Sequence, residues 1–427
     1  RKHYFYPDMA KNFQTTQGPV AFCMHGRLDL EVGAAGARER PDLADATATG
    51  GGILRRADGS YVVPIRILRI HMEEDAAKMV HVGGEEGRIT AATESLIDYN
   101  RCGTPLIELV TEPDLRTPEE ARLFMEKLQQ TFRTLGISDC SLESGSMRCD
   151  GNISLRRRGE AGFGTKTEMK NINSFKSLHD ALEYEICRQA EVLEEGCIVY
   201  QETRHWEPSR RRTVVMRVKE TADDYRLFPD PDLAPFDLTD EFINDAAARI
   251  PELPDAKRNR YVASLGLKRA DAAQIAGDPA VATLFEEAVE AAGEQAAPTV
   301  ANVVVNLLPA FGAITAAQTA GIARLLAEDA VTFAQAREVL EAVDGTEQDP
   351  VEVVDERGLR QSTDAGALEP VVDEVLGRCG DQVRQYRDGN RKVIGYLVGQ
   401  CMKASKAMGV KGNPKLFNQL LTSRLEG

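Results

Sequence analysis

The 427-residue chain has no CxxC pair. Its eight cysteines, at positions 23, 102, 140, 149, 187, 197, 379 and 401, form no ladder of metal-ligand spacing, which indicates reduced thiols in a cytosolic protein. A secretory apolar segment is also lacking. The most apolar run, Val300 to Ile314, is broken by Asn302, Asn306 and Pro309, so no membrane span is expected. There is no Walker A motif and no protein-kinase glycine loop, so any nucleotide site must be of another design. What remains is a chain long enough for two or three domains with ample core, carrying a formal net charge of −15. It opens on Arg1 rather than Met, already inside the strand-like RKHYFYPD, so a further upstream segment is expected.

Polar side chains are placed most regularly between Glu143 and Phe175. From residue 146 to 156 the pattern has period two, with Met147, Cys149, Ile153 and Leu155 on one face and Arg148, Asp150, Asn152 and Ser154 on the other. After a glycine-rich link, Lys166, Glu168 and Lys170 again share a face, which predicts a hairpin. Its mixed-sign face suits phosphate oxygens and a metal-bound nucleotide. It equally suits a solvated outer face, and for one strand pair alone the solvated face is the ordinary outcome.

Residues 61 to 72 have strand composition and run into Glu73, Glu74 and Asp75. Such carboxylates can serve Mg²⁺, although a lone acidic run is usually solvated. Glu108 is a second candidate because it stands in the apolar run PLIELV, where burying an unpaired charge is costly. Strict alternation puts His71 and Glu73 on one face and Glu74 on the other, so joining Glu74 to His71 requires the strand to end or bulge there. Residues 32 to 60, rich in Gly, Ala and Asp, read as a surface loop. Thr117, Pro118, Glu119 and Glu120 start a helix that Gly136 stops, and a second begins near Ser174 with Leu178 and Leu182 on its core side.

Seven blocks in one order, namely IHMEEDAAK, DYNRCGTPLIELVTEPDLRTPEEA, ESGSMRCDGNISLR, FGTKTEMKNINSF, QETRHW, MRVKETADDYRLFPDPDL and LVGQCMKASKAMGVKGNPKLFNQLL, together closely resemble the B subunits of tRNA-dependent amidotransferases. The resemblance implies an α+β, mainly antiparallel cradle domain, an α-helical domain and a small helical tail. It implies a ligase that uses ATP and Mg²⁺ to phosphorylate the side-chain carboxylate of Glu-tRNA(Gln) or Asp-tRNA(Asn). Ammonia from glutamine, delivered by a partner amidase (A) subunit in a complex with a small C subunit, then displaces the phosphate. This chain has no Gly/Ser-rich amidase nucleophile segment and no glutaminase-type cysteine signature, consistent with ammonia made elsewhere. By resemblance Glu74, Glu108 and His71 serve the metal, and Lys166, Glu168, Lys170, Asn171, Arg148 and Asp150 form the catalytic block. Ser146, Asn152 and Arg226 would contact the nucleotide. The family normally carries several tens of residues before this starting point, including a GLEVH-type strand whose Glu and His also serve the metal site; they are absent from this sequence. A non-catalytic tRNA-docking scaffold is the alternative function, and a generic helical adaptor leaves the polar hairpin unexplained.

The proline-rich PDPDLAPF ends the first domain, expected over 1–232, with a helical domain over 233–345 and a tail over 346–427. From Arg378 to the C-terminus ten Lys and Arg face three acids, the clearest basic concentration in an acidic chain. Lys403, Lys406, Lys411 and Lys415 surround an interhelical Gly-containing loop and are the expected tRNA contacts, while Gly395 and Gly399 are expected to permit close helix packing. A solvated helix face is the plain alternative.

Overall fold

The computed structural model describes residues 1–3, 11–18, 20–37, 40, 52–83, 92–157, 159–218, 227–361, 365–410 and 412–426. They form two compact units, Arg1–Phe132 with Gly136–Arg249, and Arg133–Leu135 with Ile250–Gly427. The class is α+β, with helices concentrated in the C-terminal half.

In the first unit, strands β1 (Lys2–His3) and β2 (Phe13–Gln14) form a small antiparallel pair. Strand β3 (Cys23–Val32) is followed by a short helix α1 (Ala34–Ala37), β4 (Leu54–Arg55) and the 14-residue β5 (Tyr61–Glu74). A separate ribbon joins β6 (Lys78–Val82) to β7 (Glu94–Asp98), and β8 (Pro105–Thr111) returns to β5. Strand β5 is the spine: β3 runs antiparallel along one edge, while β4 and then β8 occupy the other. Tyr61, Val63 and Ile65 alternate into the core, where helix α2 (Pro118–Thr134) packs. Thr117 caps that helix by accepting from the Glu120 N–H at 3.1 Å, as its sequence predicts.

The polar hairpin forms in shortened form. Strand β9 (Gly151–Ile153) pairs antiparallel with β10 (Thr167–Lys170), Glu168 facing Asn152. Helix α3 (Phe175–Glu194), capped by Ser174, crosses over to β11 (Glu202–Glu207), which lies parallel to β10, and β12 (Arg212–Val218) closes the order β12-β11-β10-β9. One face of this sheet, with Met169 and Trp206, joins Leu178, Ala181 and Leu182 of α3 in the same core that α2 seals. An added Cβ on Gly151 would stand 2.9 Å from Met169 Cε and 3.4 Å from Leu178, so α3 approaches where β9 has no side chain.

The loop expected over residues 32 to 60 is better anchored than its composition suggests. Arg40 is buried and donates to Glu120 Oε1 at 2.6 Å; Tyr61 Oη donates to the same oxygen at 2.5 Å. Burial, and then the Glu120 charge, push the Tyr61 phenol upward. Nothing in local sequence reveals such a contact, because its partners lie 80 and 59 residues apart. The unit ends with α4 (Asp240–Ala248), started by Thr239.

The second unit is helical: α5 (Pro254–Leu265), α6 (Arg269–Ala276), α7 (Pro279–Ala292), α8 (Ala297–Asn306), α9 (Ala316–Ala327), α10 (Phe333–Val343) and α11 (Pro350–Glu356) surround one core that includes Tyr261, Phe285, Ile322 and Leu340. A second core, with Leu368, Leu397, Phe417 and Leu421, is built by α12 (Ala365–Arg378), α13 (Gly380–Arg387), α14 (Ile394–Ala407) and α15 (Pro414–Glu426). Asn413 caps α15 by accepting from Lys415 and Leu416 N–H groups at 3.0 and 3.1 Å. Gly395 and Gly399 do not serve packing, since both are exposed and an added Cβ at either would meet nothing within 4 Å. The tight position is Gly412, where a Cβ would lie 2.5 Å from Ser405 Oγ and 2.7 Å from the Phe417 ring.

A buried carboxylate holds α3 to its sheet. Fully buried Glu185 accepts from Arg188 at 2.9 Å, Gln189 at 3.0 Å and Thr213 at 3.1 Å, and lies 3.6 Å from Arg204. Glu185→Ala takes from Arg188 and Arg204 one of the two carboxylates they face, Glu202 being the other, and leaves the buried Gln189 and Thr213 donors short of an acceptor; the expected cost is about 1–3 kcal/mol of stability, read as a lower urea midpoint, and an unchanged midpoint contradicts this role.

Candidate active site

The solvent side of the β9–β12 sheet carries most of the expected catalytic block. Lys170 Nζ donates to Asp150 Oδ2 at 2.8 Å and stands 3.7 Å from Glu168 Oε1. Two carboxylates therefore flank one ammonium. Asn152 faces Glu168 across the strand pair and is exposed. Lys166 and Arg148 are exposed just outside the strands, with no ion pair among the described residues. Asn171 follows β10 with a positive φ of 64°, a conformation Asn tolerates, and donates to the Trp206 carbonyl at 3.4 Å. This end of β10 leads within four residues to the capped amino terminus of α3, whose N–H groups favour anions. Ser146 is spent locally: it accepts from Ser141 N–H at 3.1 Å and donates to Asp139. Arg226 lies outside the described residues.

The strand ETRHWE also contributes to this face, which reading the hairpin alone misses. In the parallel register Thr203 stands beside Glu168 and His205 beside Lys170, so β11 extends the polar face by two positions. No period-two pattern marks residues 202 to 207, because Glu202 and Arg204 share a face with Trp206; only the crossover through α3 brings Thr203 and His205 to this face.

The second group lies where β5 meets β8. His71 and Glu108 are direct cross-strand partners, and the register runs unbroken from Arg69 to Glu74, which faces Pro105. The irregularity in β5 falls between Ile67 and Arg69, not at the acidic end. Glu74 is thus held apart from His71: its carboxylate pairs with Lys11 and accepts from the Thr15 N–H at 2.8 Å. Partial burial would raise the Glu74 carboxyl, but these hydrogen bonds outweigh it and hold it below the usual carboxylate range. Glu108 is exposed, so the cost of burial that singled it out in the sequence does not operate, and it has no ion pair among the described residues. His71 Nδ1 is buried with no hydrogen-bond partner. Among the described residues the only three side chains whose metal-ligating atoms gather within 4.8 Å are His179, Asp180 and Glu183 on α3, and Lys176 already occupies Asp180 at 2.7 Å.

In the tail, five of the nine basic residues that are described pair with acids. Arg378 pairs with Glu374, Arg384 with Asp381, Arg391 with Glu426, Arg424 with Glu369, and Lys415 with Asp329 at 2.7 Å. Three of those acids precede residue 378, so counting charge within the tail alone overstates its field. Tyr396, Gly399, Lys403 and Lys406 recur at helical spacing on the exposed face of α14. Neither lysine has a partner among the described residues, and Lys411 lies outside them.

Comparison with known proteins bears on this arrangement. Residues 1–244 match the family model described as GatB/GatE catalytic domain, and residues 283–425 match the GatB domain. The chain belongs to the GatB family. It is 43% identical over 435 residues to the B subunit of the aspartyl/glutamyl-tRNA(Asn/Gln) amidotransferase of Carboxydothermus hydrogenoformans, covering 100% of this chain and 83% of the relative. B subunits of the same name from Moorella thermoacetica and Caldicellulosiruptor saccharolyticus are 42% and 40% identical, each covering 100% of this chain and 84% of the relative. The first GatB match spans both residue groups of the first unit, and the second contains the α14 stripe. No described helix is long and apolar enough to cross a membrane.

Cys149, on the buried side of the expected strand, is no nucleophile. Burial, reinforced by the charge of Asp150, pushes its thiol up to about 12. At pH 8 only about one thiol in ten thousand is ionised there. Brief iodoacetamide treatment at pH 8 followed by peptide mass mapping should label exposed Cys187 and Cys197 and spare Cys149; labelling of all three at one rate contradicts the burial.

Proposed function

We propose that this chain is the tRNA-activating B subunit of a cytoplasmic, glutamine-dependent amidotransferase, a ligase that works with an amidase A subunit and a small C subunit on Glu-tRNA(Gln) or Asp-tRNA(Asn). What carries this is the run of about 40% identity along the whole chain to relatives named for that activity. The side-chain carboxylate of the tRNA-bound amino acid is phosphorylated, and ammonia displaces the phosphate to leave the amide. ATP supplies the phosphoryl group, and Mg²⁺ offsets the charge on its oxygens.

The residues present fit that chemistry in part. Glu108 offers Mg²⁺ a hard, solvent-facing oxygen, and Mg²⁺ usually keeps several waters beside one or two carboxylates. His71, directly across the strand, suits a metal-bound water better than the ion, and its buried Nδ1 without a partner is costly until such a group accepts or donates there. Glu74, on the other strand face and held by Lys11 and the Thr15 N–H, does not join Glu108 and His71. Lys170, held between Asp150 and Glu168, and the exposed Lys166 and Arg148 neutralise phosphate oxygens; Asn152 and Asn171 supply neutral hydrogen bonds beside them. No covalent nucleophile is needed, in keeping with the partly buried, poorly ionised Cys149. The α14 stripe, with a planar ring and two free lysines beside a glycine, meets the tRNA backbone by charge and shape rather than by reading bases.

Two experiments test this on the full complex. Glu108→Gln keeps the side-chain shape and removes the charge, so ATP hydrolysis stimulated by misacylated tRNA should fall about a hundredfold or more; undiminished turnover removes Glu108 from the metal site. Lys403→Gln with Lys406→Gln should weaken tRNA binding and lower the log–log salt slope by about two, while amidation at saturating tRNA persists. An unaltered slope would leave the stripe as ordinary solvated surface.

A further inference from the structure

The side chain that fixes the geometry of the Glu168–Lys170 pair comes from a strand the catalytic block does not include. Thr203 on β11 lies beside Glu168 in the parallel register, is 1% exposed, and donates its hydroxyl to Glu168 Oε2 at 2.9 Å. The other oxygen, Oε1, is the one 3.7 Å from Lys170 Nζ, and Lys170 in turn donates to Asp150 at 2.8 Å. A chain of contacts therefore runs from β11 through β10 to the residue that precedes β9, Thr203 to Glu168 to Lys170 to Asp150, with its anchored end buried and its far end in solvent.

We propose that Thr203 is a positioning residue for amino-acid activation: by holding one oxygen of Glu168, it keeps that carboxylate from closing fully onto Lys170 and leaves the ammonium available to a phosphate oxygen. This rests on the assignment of Glu168 and Lys170 to the reacting face. The physical basis is the geometry of the glutamate side chain, which has two carboxylate oxygens at the end of three rotatable bonds. Released from Thr203, Glu168 can turn both oxygens toward the nearest cation, and a lysine claimed by two carboxylates loses free charge to offer a substrate. Thr203 suits the task because its β-branched side chain is stiff at χ1 and because β11 is fixed from beneath. There Arg204 donates to Thr213 Oγ1 at 2.8 Å and to the Thr213 carbonyl at 3.0 Å, tying β11 to β12.

The test is a set of variants in the assembled amidotransferase, with single-turnover activation of misacylated tRNA as the readout. Thr203→Val preserves shape and removes the donor. The rate should fall about tenfold to a hundredfold, the range for losing a hydrogen bond to a charged group, with tRNA affinity unchanged. Thr203→Ser keeps the hydroxyl and should restore most of the rate. If the valine variant does not assemble, Thr203→Ala reports on the same hydrogen bond. Glu168→Gln separates this inference from the one beneath it: a fully active E168Q enzyme overturns the assignment of Glu168 itself. If E168Q is impaired while T203V matches the unmodified enzyme, Thr203 alone is wrongly assigned. Two further results also overturn the proposal: T203S as impaired as T203V, which would mean packing, and T203V costing the same factor in an E168Q background, which would mean that Thr203 does not act through Glu168.

Discussion

A single buried carboxylate, Glu185, sets the frame on which the polar face is displayed. A charge with no exposure to solvent is tolerable only when surrounded by donors, and Glu185 has them from its own helix, from β12 through Thr213 and at 3.6 Å from Arg204 of β11. Gln189 extends the connection by donating to Thr167 of β10 at 3.1 Å. One helix thereby registers three strands. Such a network selects an arrangement more than it adds net stability, since a well-packed apolar core of the same volume would serve the latter as well. What it selects is the placement of Thr203 and His205 beside Glu168 and Lys170.

The other sheet repeats the device. Glu120, fully buried in the first turn of α2, takes Arg40 and the Tyr61 hydroxyl on one oxygen and the Arg116 N–H on the other at 2.7 Å. Each helix is tied to its sheet by one glutamate facing inward, and in each case the sheet's opposite side keeps its polar groups. Burial of charge on the inner side and display of charge on the outer side are thus linked through strand alternation, since neighbouring residues of β10 and β11 must point to opposite faces.

Charge also limits what the tail can do. Ion pairs with Glu369, Glu374 and Asp329 remove arginines and a lysine that composition counts as available, and exposed pairs of that kind add little stability. Among the described residues they leave Arg387, Lys392, Lys403 and Lys406 exposed without an acidic partner, and only Lys403 and Lys406 share a helix face.

The sequence by itself determined the elements and the family. Caps at Thr117, Ser174 and Asn413, the alternation around Asp150 and Lys170, and seven ordered blocks are local or linear signals, and they survive without knowledge of any long-range contact. Tertiary structure alone decided which side chains meet. Alternation assigns Glu74 and His71 to opposite faces, but only the register of β5 against β8 makes His71 the partner of Glu108 and leaves Glu74 to Lys11. An apolar run around Glu108 looks buried until the sheet is assembled with that position in water. Thr203 and Arg40 act through partners 35 and 80 residues away, and the pairing of distant segments is fixed by packing, which composition and periodicity do not encode.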